Sequence, residues 1–213
     1  MFYYLERPSV AISAKPKALL MLHGFGSNEA DLFSFVHQIP QDIYVFSARA
    51  PFSLDFGGYA WYDIFLDANN NKISDNQQAM ESLLQLSQFI DYLIDKHHLD
   101  TDNFNLLGFS QGSILSYALA LHYPEKIKNI VALSGYINQD IMPVQEKTAA
   151  YRHLHFFISH GTFDDIIPIE AARKIPPFLL ERNIRNDYHE YPMGHEVNMQ
   201  CLQDMLVWIE QNI

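Results

Sequence analysis

Gly108-Phe109-Ser110-Gln111-Gly112 decides how this 213-residue chain is read. The pentapeptide has the form G-x-S-x-G, and its setting carries more information than its letters. Asn103-Phe104-Asn105-Leu106-Leu107 before it reads as a buried strand, and Ser113 to His122 after it, rich in Ala and Leu, reads as a helix. A serine on a sharp strand-to-helix turn has its Oγ lifted clear of the sheet, the arrangement of a nucleophile elbow. The pattern alone arises by chance in about one chain in fifteen of this length at average glycine and serine usage. Its meaning therefore depends on whether the rest of the chain supplies partners for Ser110.

A serine hydroxyl is a weak nucleophile near neutral pH and needs a base, which in turn needs an orienting acid. In a sheet that carries such an elbow the order along the chain is serine, acid, histidine. Downstream of Ser110, a strand over His155–Ser159 runs into His160-Gly161-Thr162-Phe163-Asp164-Asp165, and a strand over Tyr188–Tyr191 runs into Pro192-Met193-Gly194-His195-Glu196. Both loops leave the carboxyl ends of their strands, the edge where ligands bind in an open parallel sheet. Asp164 is expected as the acid, with Asp165 as its rival, and His195 as the base. His160 is expected to shape the acid loop, while His189 falls inside a strand and His97 and His98 at a helix end. No set of His, Cys and carboxylates has metal-ligand spacing, so no metal is assigned.

Acyl transfer also needs donors for a developing oxyanion. The backbone N–H of Gln111 is one candidate. The second comes from the loop after the strand Ala18–Leu22, where His23-Gly24-Phe25-Gly26 offers the N–H of Phe25. The bland alternative for His23-Gly24 is a plain strand-to-helix turn. The segment from Pro51 to Ser74 is long and aromatic, and long ordered loops are more often functional than idle. Its Trp61 and Tyr62 are candidate walls of a substrate site, which His23 and Gly24 are also expected to touch.

The rest of the chain fits one architecture. Short apolar runs alternate with helical patterns, which argues for βαβ units and a mostly parallel sheet. Further strands are expected at Ile43–Ser47 and Ile127–Leu133. A helix from about Asp75 to His98 carries Leu83, Leu86, Ile90, Leu93 and Ile94 on one stripe, with Ser74 and Gln77 as a capping-box pattern. The last helix spans about Met199 to Gln211, with Cys201 as a core thiol. Pro176-Pro177 should break the helical pattern of Ile169 to Arg182 and open a second short helix. The segment between Gly135 and Leu154 is too short to insert a large cap domain.

At this point the chain resembles the carboxylesterase/phospholipase/acyl-protein thioesterase family of α/β-hydrolases. Leu22-His23-Gly24-Phe25-Gly26 is similar to the family's oxyanion loop. Arg49-Ala50-Pro51 with Gly58 and Trp61-Tyr62-Asp63 resembles its aromatic loop, and the Ser110 elbow, the Asp164 loop and the His195 loop match its remaining motifs in order. The resemblance implies an α/β-hydrolase fold with no large cap. It implies a serine esterase acting on small or medium acyl esters, with lysophospholipids and protein thioesters as alternative substrates, and it implies homodimers. Ser110 argues against the dienelactone-cleaving branch, which carries cysteine at the elbow.

Composition sets outer limits. A length of 213 residues fits a single domain over 1–213 with a sizeable core. The formal charge of −11 argues against nucleic acid and anionic membrane as partners. The N-terminus lacks the basic and apolar regions of a signal peptide, and no apolar run is long enough to span a bilayer. One cysteine fits a reducing cytoplasm. No cofactor is expected. Two other classes stay open: a ligand-binding module that has kept the fold without turnover, and an interaction protein that uses the aromatic loop.

Overall fold

The structure, a computed structural model, describes residues 2–11, 15–66, 72–145 and 148–213, and the side chains of Lys72 and Thr148 lie outside that description. In chain order the strands are β1 (Tyr4–Arg7), β2 (Ala18–Leu22), β3 (Tyr44–Ala48), β4 (Phe52–Ser53), β5 (Tyr59–Ala60), β6 (Ile64–Leu66), β7 (Lys72–Ser74), β8 (Phe104–Phe109), β9 (Asn129–Leu133), β10 (His155–Gly161) and β11 (Arg185–Tyr191). The helices are α1 (Ala30–Phe33), α2 (Asn76–His97), α3 (Gln111–His122), α4 (Ile169–Ala172), α5 (Ile175–Leu180) and α6 (Met199–Asn212).

Seven strands form one sheet in the order β1-β3-β2-β8-β9-β10-β11. Only the β1–β3 pair is antiparallel. The fold is that of an α/β hydrolase, a mostly parallel sheet with helices on both faces. The central strands are buried on both faces, which is why β2 reads as an unbroken apolar run and β9 as one after Asn129. Leu20, Leu22, Leu106 and Ala132 face the core beneath α2 and α3, while Leu19, Met21, Leu107 and Leu133 face the core beneath α1 and α6. Asn105 ties the amino ends of three strands together. Its amide donates to Ala18 O and its Oδ1 accepts from the backbone and side chain of Asn129.

Residues 111–121 of α3 are all buried, so this helix has no solvent face and no charged residue before His122. Three expectations shift in detail. The helix expected from about Asp75, with Ser74 as its cap, is instead capped by Asp75, whose carboxylate accepts from Gln78 N. Ser74 instead ends β7, and its partner in the expected box, Gln77, bonds Glu81 on the helix surface. The segment expected as one loop, Pro51 to Ser74, holds two short ribbons, β4–β5 and β6–β7, with 67–71 outside the described residues. The strand expected at Tyr188–Tyr191 begins at Arg185. Pro176 and Pro177 do fall in the first turn of a separate short helix, α5, after a break from α4. The described residues between Gly135 and Leu154 hold two short 3₁₀ turns, Gln139–Ile141 and Thr148–Tyr151.

Candidate active site

Ser110 stands between β8 and α3 with φ 52° and ψ −114°, a strained left-handed conformation for a residue with a side chain. The strain is held by its surroundings. A Cβ on Gly112 would lie 2.0 Å from Leu22 O, and one on Gly108 would lie 2.5 Å from Gly112 O. Only glycines at these two places let α3 start so close to β2 and turn back on β8. The N–H of Ser110 is itself held by Leu133 O of the neighbouring strand, at 2.9 Å.

The two downstream loops converge on this turn. Ser110 Oγ donates to His195 Nε2 at 2.9 Å, and His195 Nδ1 donates to Asp164 Oδ2 at 2.7 Å. The other Asp164 oxygen, Oδ1, accepts from the backbone N–H groups of Ile166 and Ile167 at 2.9 and 2.8 Å. The Asp164 side chain is fully buried, while Asp165 is exposed. Desolvation of a buried carboxylate is offset when several N–H groups point at it. A hydroxyl, an imidazole and a buried carboxylate in this line can move a proton from Oγ to the ring and stabilise the imidazolium that results.

Two backbone donors face the same space. Neither the Phe25 N–H nor the Gln111 N–H meets an acceptor among the described residues, although their neighbours do: Gly26 N bonds Tyr59 O and Ser27 N bonds Gly24 O. The cleft in front of Ser110 has a volume of about 630 Å³ and is walled by Phe25, Tyr62, Ile64, Ile114, Tyr136 and Ile167, among others. Among the described residues, His195 is the one side chain on its walls that can carry a positive charge.

Of the residues expected to touch substrate, Tyr62 lines the cleft, and His23, Gly24 and Trp61 do not. His23 and Trp61 are fully buried and have other tasks. His23 donates from Nδ1 to Gly24 O and accepts the Ala50 N–H at Nε2, and burial pushes its pKa down, so the neutral ring suits both bonds. Trp61 Nε1 donates to His23 O. They brace the loop that carries Phe25 from behind. The Gln111 side chain completes the brace: Oε1 accepts from Trp61 N at 2.8 Å and Nε2 donates to Tyr62 O at 2.7 Å. Sequence reading found Gln111 by its backbone alone. Ile64, Leu66 and Ile114 on the cleft walls were also missed, because nothing local marks them.

Arg49, part of the expected aromatic-loop motif, forms a bidentate pair with Glu29 at 2.6 Å and lies against the Tyr3 and Tyr59 rings. The Arg49 guanidinium holds the Glu29 carboxyl below its ordinary pKa. Cys201 is buried, its Sγ donates to Ser159 Oγ, and burial pushes the thiol up to about 11, so it is no candidate nucleophile. Among the described residues no cluster of His, Cys and carboxylates could hold a metal ion, and no helix is long and apolar enough to cross a membrane.

Residues 7–213 match the phospholipase/carboxylesterase family model. Acyl-protein thioesterase 1 of Yarrowia lipolytica is 28% identical over an alignment covering 97% of each chain. A probable carboxylesterase of Oryza sativa subsp. japonica is 25% identical, covering 97% of this chain and 82% of that protein. Among solved structures, the carboxylesterase of Bacillus cereus superimposes with a TM-score of 0.86 at 22% identity, covering 100% of this chain and 95% of the other. The chain belongs to the phospholipase/carboxylesterase family and is an ester-hydrolysing enzyme.

Proposed function

We propose that this member of the family is a serine carboxylic ester hydrolase that works through Ser110, His195 and Asp164. Ser110 Oγ attacks the ester carbonyl while its proton passes to His195 Nε2. The N–H groups of Phe25 and Gln111 receive the oxyanion. Collapse of the tetrahedral species expels the alcohol, which takes the proton back from His195. Water, deprotonated by the same ring, then hydrolyses the acyl-enzyme and frees Ser110. Asp164 keeps the Nδ1 proton in place throughout and stabilises the charged ring. No step calls for a cofactor. The observation that carries this reading is the His195 ring spanning from Ser110 Oγ at 2.9 Å to Asp164 Oδ2 at 2.7 Å.

The cleft walls are mainly apolar, which favours a neutral acyl chain of small to medium length over a charged one. A second reading, cleavage of protein thioesters, draws on the relatives named acyl-protein thioesterase 1. Lysophospholipid is a further alternative. We also infer that residues 1–213 act as one catalytic unit, and that the enzyme works in a reducing cytoplasm, for which the lone buried Cys201 is the support. The test is a panel of p-nitrophenyl esters from acetate to palmitate, with an S-acyl peptide alongside, for wild type and Ser110→Ala. Ser110→Ala should lower kcat by about 10⁴-fold or more. Unchanged activity in that variant would remove the mechanism. A maximum at palmitate or on the S-acyl peptide would replace the small-ester reading by the lipid or thioester one.

A further inference from the structure

We propose that His160 is a positioning residue for the acid of this site, a second imidazole that acts on Asp164 and never on substrate. The proposal rests on the Ser110–His195–Asp164 reading above. His160 lies near the end of β10 and is fully buried. Its Nε2 is 2.8 Å from Ile167 O and 3.3 Å from Asp164 Oδ2. Both neighbours are acceptors, so Nε2 carries the proton; it donates to Ile167 O and sets the same N–H beside Asp164 Oδ2 as a close electrostatic contact. Nδ1, also buried, meets no hydrogen-bond partner among the described residues.

This contact changes how Asp164 is held. Ile166 and Ile167 N–H groups occupy Oδ1, while Oδ2 is bonded by His195 Nδ1 and has His160 Nε2 beside it at 3.3 Å. With three donors bonded to its two oxygens, the His160 N–H beside them and no exposure of its side chain, the carboxylate is held toward His195 and away from water. His160 reaches neither Ser110 nor the cleft, since Ser110 Oγ bonds His195 and His160 is absent from the cleft walls. A loop pin alone would need only the bond to Ile167 O. The two roles separate experimentally, because Ile167 is a cleft wall whereas Asp164 reaches substrate only through His195.

The test is a double-mutant cycle on the full chain, using p-nitrophenyl butyrate turnover and the rate at which a small organophosphonate labels Ser110. His160→Leu should lower kcat about 10- to 100-fold with KM within about twofold. His160→Gln, which places an amide N–H near the position of Nε2, should stay within about fivefold of wild type. On an Asp164→Asn background, His160→Leu should change the labelling rate by no more than about twofold, because the carboxylate it serves is gone. Wild-type kcat in His160→Leu, a loss confined to KM, or a loss that multiplies in full onto Asp164→Asn would overturn the assignment. If His160→Leu does not fold, His160→Asn takes its place. It offers its amide at the position of Nδ1, and should lose kcat where His160→Gln keeps it; equal activities overturn the proposal. An inactive Ser110→Ala beside an unaffected His160 variant removes the His160 role alone, whereas an active Ser110→Ala removes the reading beneath it.

Discussion

Gln111 works with two different parts of one residue. Its N–H faces the cleft beside Ser110, and its side-chain amide joins the elbow to the backbone of Trp61 and Tyr62. Gln111→Leu fills a similar volume but leaves a buried N–H and a buried C=O without partners. Each costs about 1–3 kcal/mol, so urea unfolding should report a loss of about 2–6 kcal/mol, and kcat should fall as the two loops uncouple. A variant that keeps both stability and kcat would show that the brace is idle. The acid is a second residue-scale question. Asp164 and Asp165 are adjacent and chemically alike, so the sequence favoured Asp164 and kept Asp165 as its rival; burial and three accepted hydrogen bonds distinguish Asp164. Asp164→Asn should lower kcat by about 10⁴-fold, while Asp165→Asn should leave it near wild type. The opposite result would exchange their places. Ser110, Asp164 and His195 were legible because each sits on a local pattern of strand, turn and glycine. The supporting work of His23 and Trp61 was not legible, since it depends on bonds between segments 27 to 50 residues apart.

At the scale of elements, strands buried on both faces announced themselves and edge strands did not. β2, β8 and β9 are apolar apart from the buried Asn105 and Asn129 because both of their faces are covered. β1 and β11 lie at the two edges of the sheet, and their sequences Tyr-Leu-Glu-Arg and Arg-Asn-Asp-Tyr-His-Glu-Tyr carry polar residues that suit partial exposure. β1 was missed for that reason, and β11 was seen only in its last four residues. What holds β1 in place is unusual for an edge. Arg7 donates to four carbonyls, Val36, Ile39, Pro40 and Ile43, at 2.7 to 2.9 Å. These carbonyls belong to the connection between α1 and β3, so one side chain replaces the partners that the connection's irregular backbone lacks. Arg7→Met should cost about 2–4 kcal/mol in urea unfolding. Its kcat at low temperature should be kept, because Arg7 lines no part of the cleft. Equal stability of the two proteins would mean that these carbonyls are satisfied without it.

At the scale of the whole molecule, acid should weaken the fold in two separate windows. Burial is the largest influence on both His23 and His155 and lowers the pKa of each, although Asp187 pulls His155 the other way. The unfolded chain therefore takes up protons near pH 6.5 that the folded chain refuses. In that range the unfolded state binds more protons, and stability rises with pH and falls as pH drops. Each histidine can contribute a slope of up to about 1.4 kcal/mol per pH unit. The carboxylates behave otherwise. Hydrogen bonds from Arg49 and Arg173 hold Glu29 and Glu190 below their ordinary pKa values. Their contribution is complete above about pH 4.5 and is lost only as pH falls further. Urea midpoints measured at about pH 7.5, 6.5 and 5.5 isolate the histidine window, since the carboxylates stay ionised throughout it. The midpoint should fall across this series. His155→Gln retains an N–H donor for Asp187 Oδ2, which His155 now supplies from Nε2 at 2.7 Å, but cannot titrate. Its slope should therefore be shallower than that of wild type, at similar stability near pH 7.5. A midpoint that stays level or rises on acidification would mean that the folded chain accepts these protons as readily as the unfolded one, against the burial of both rings.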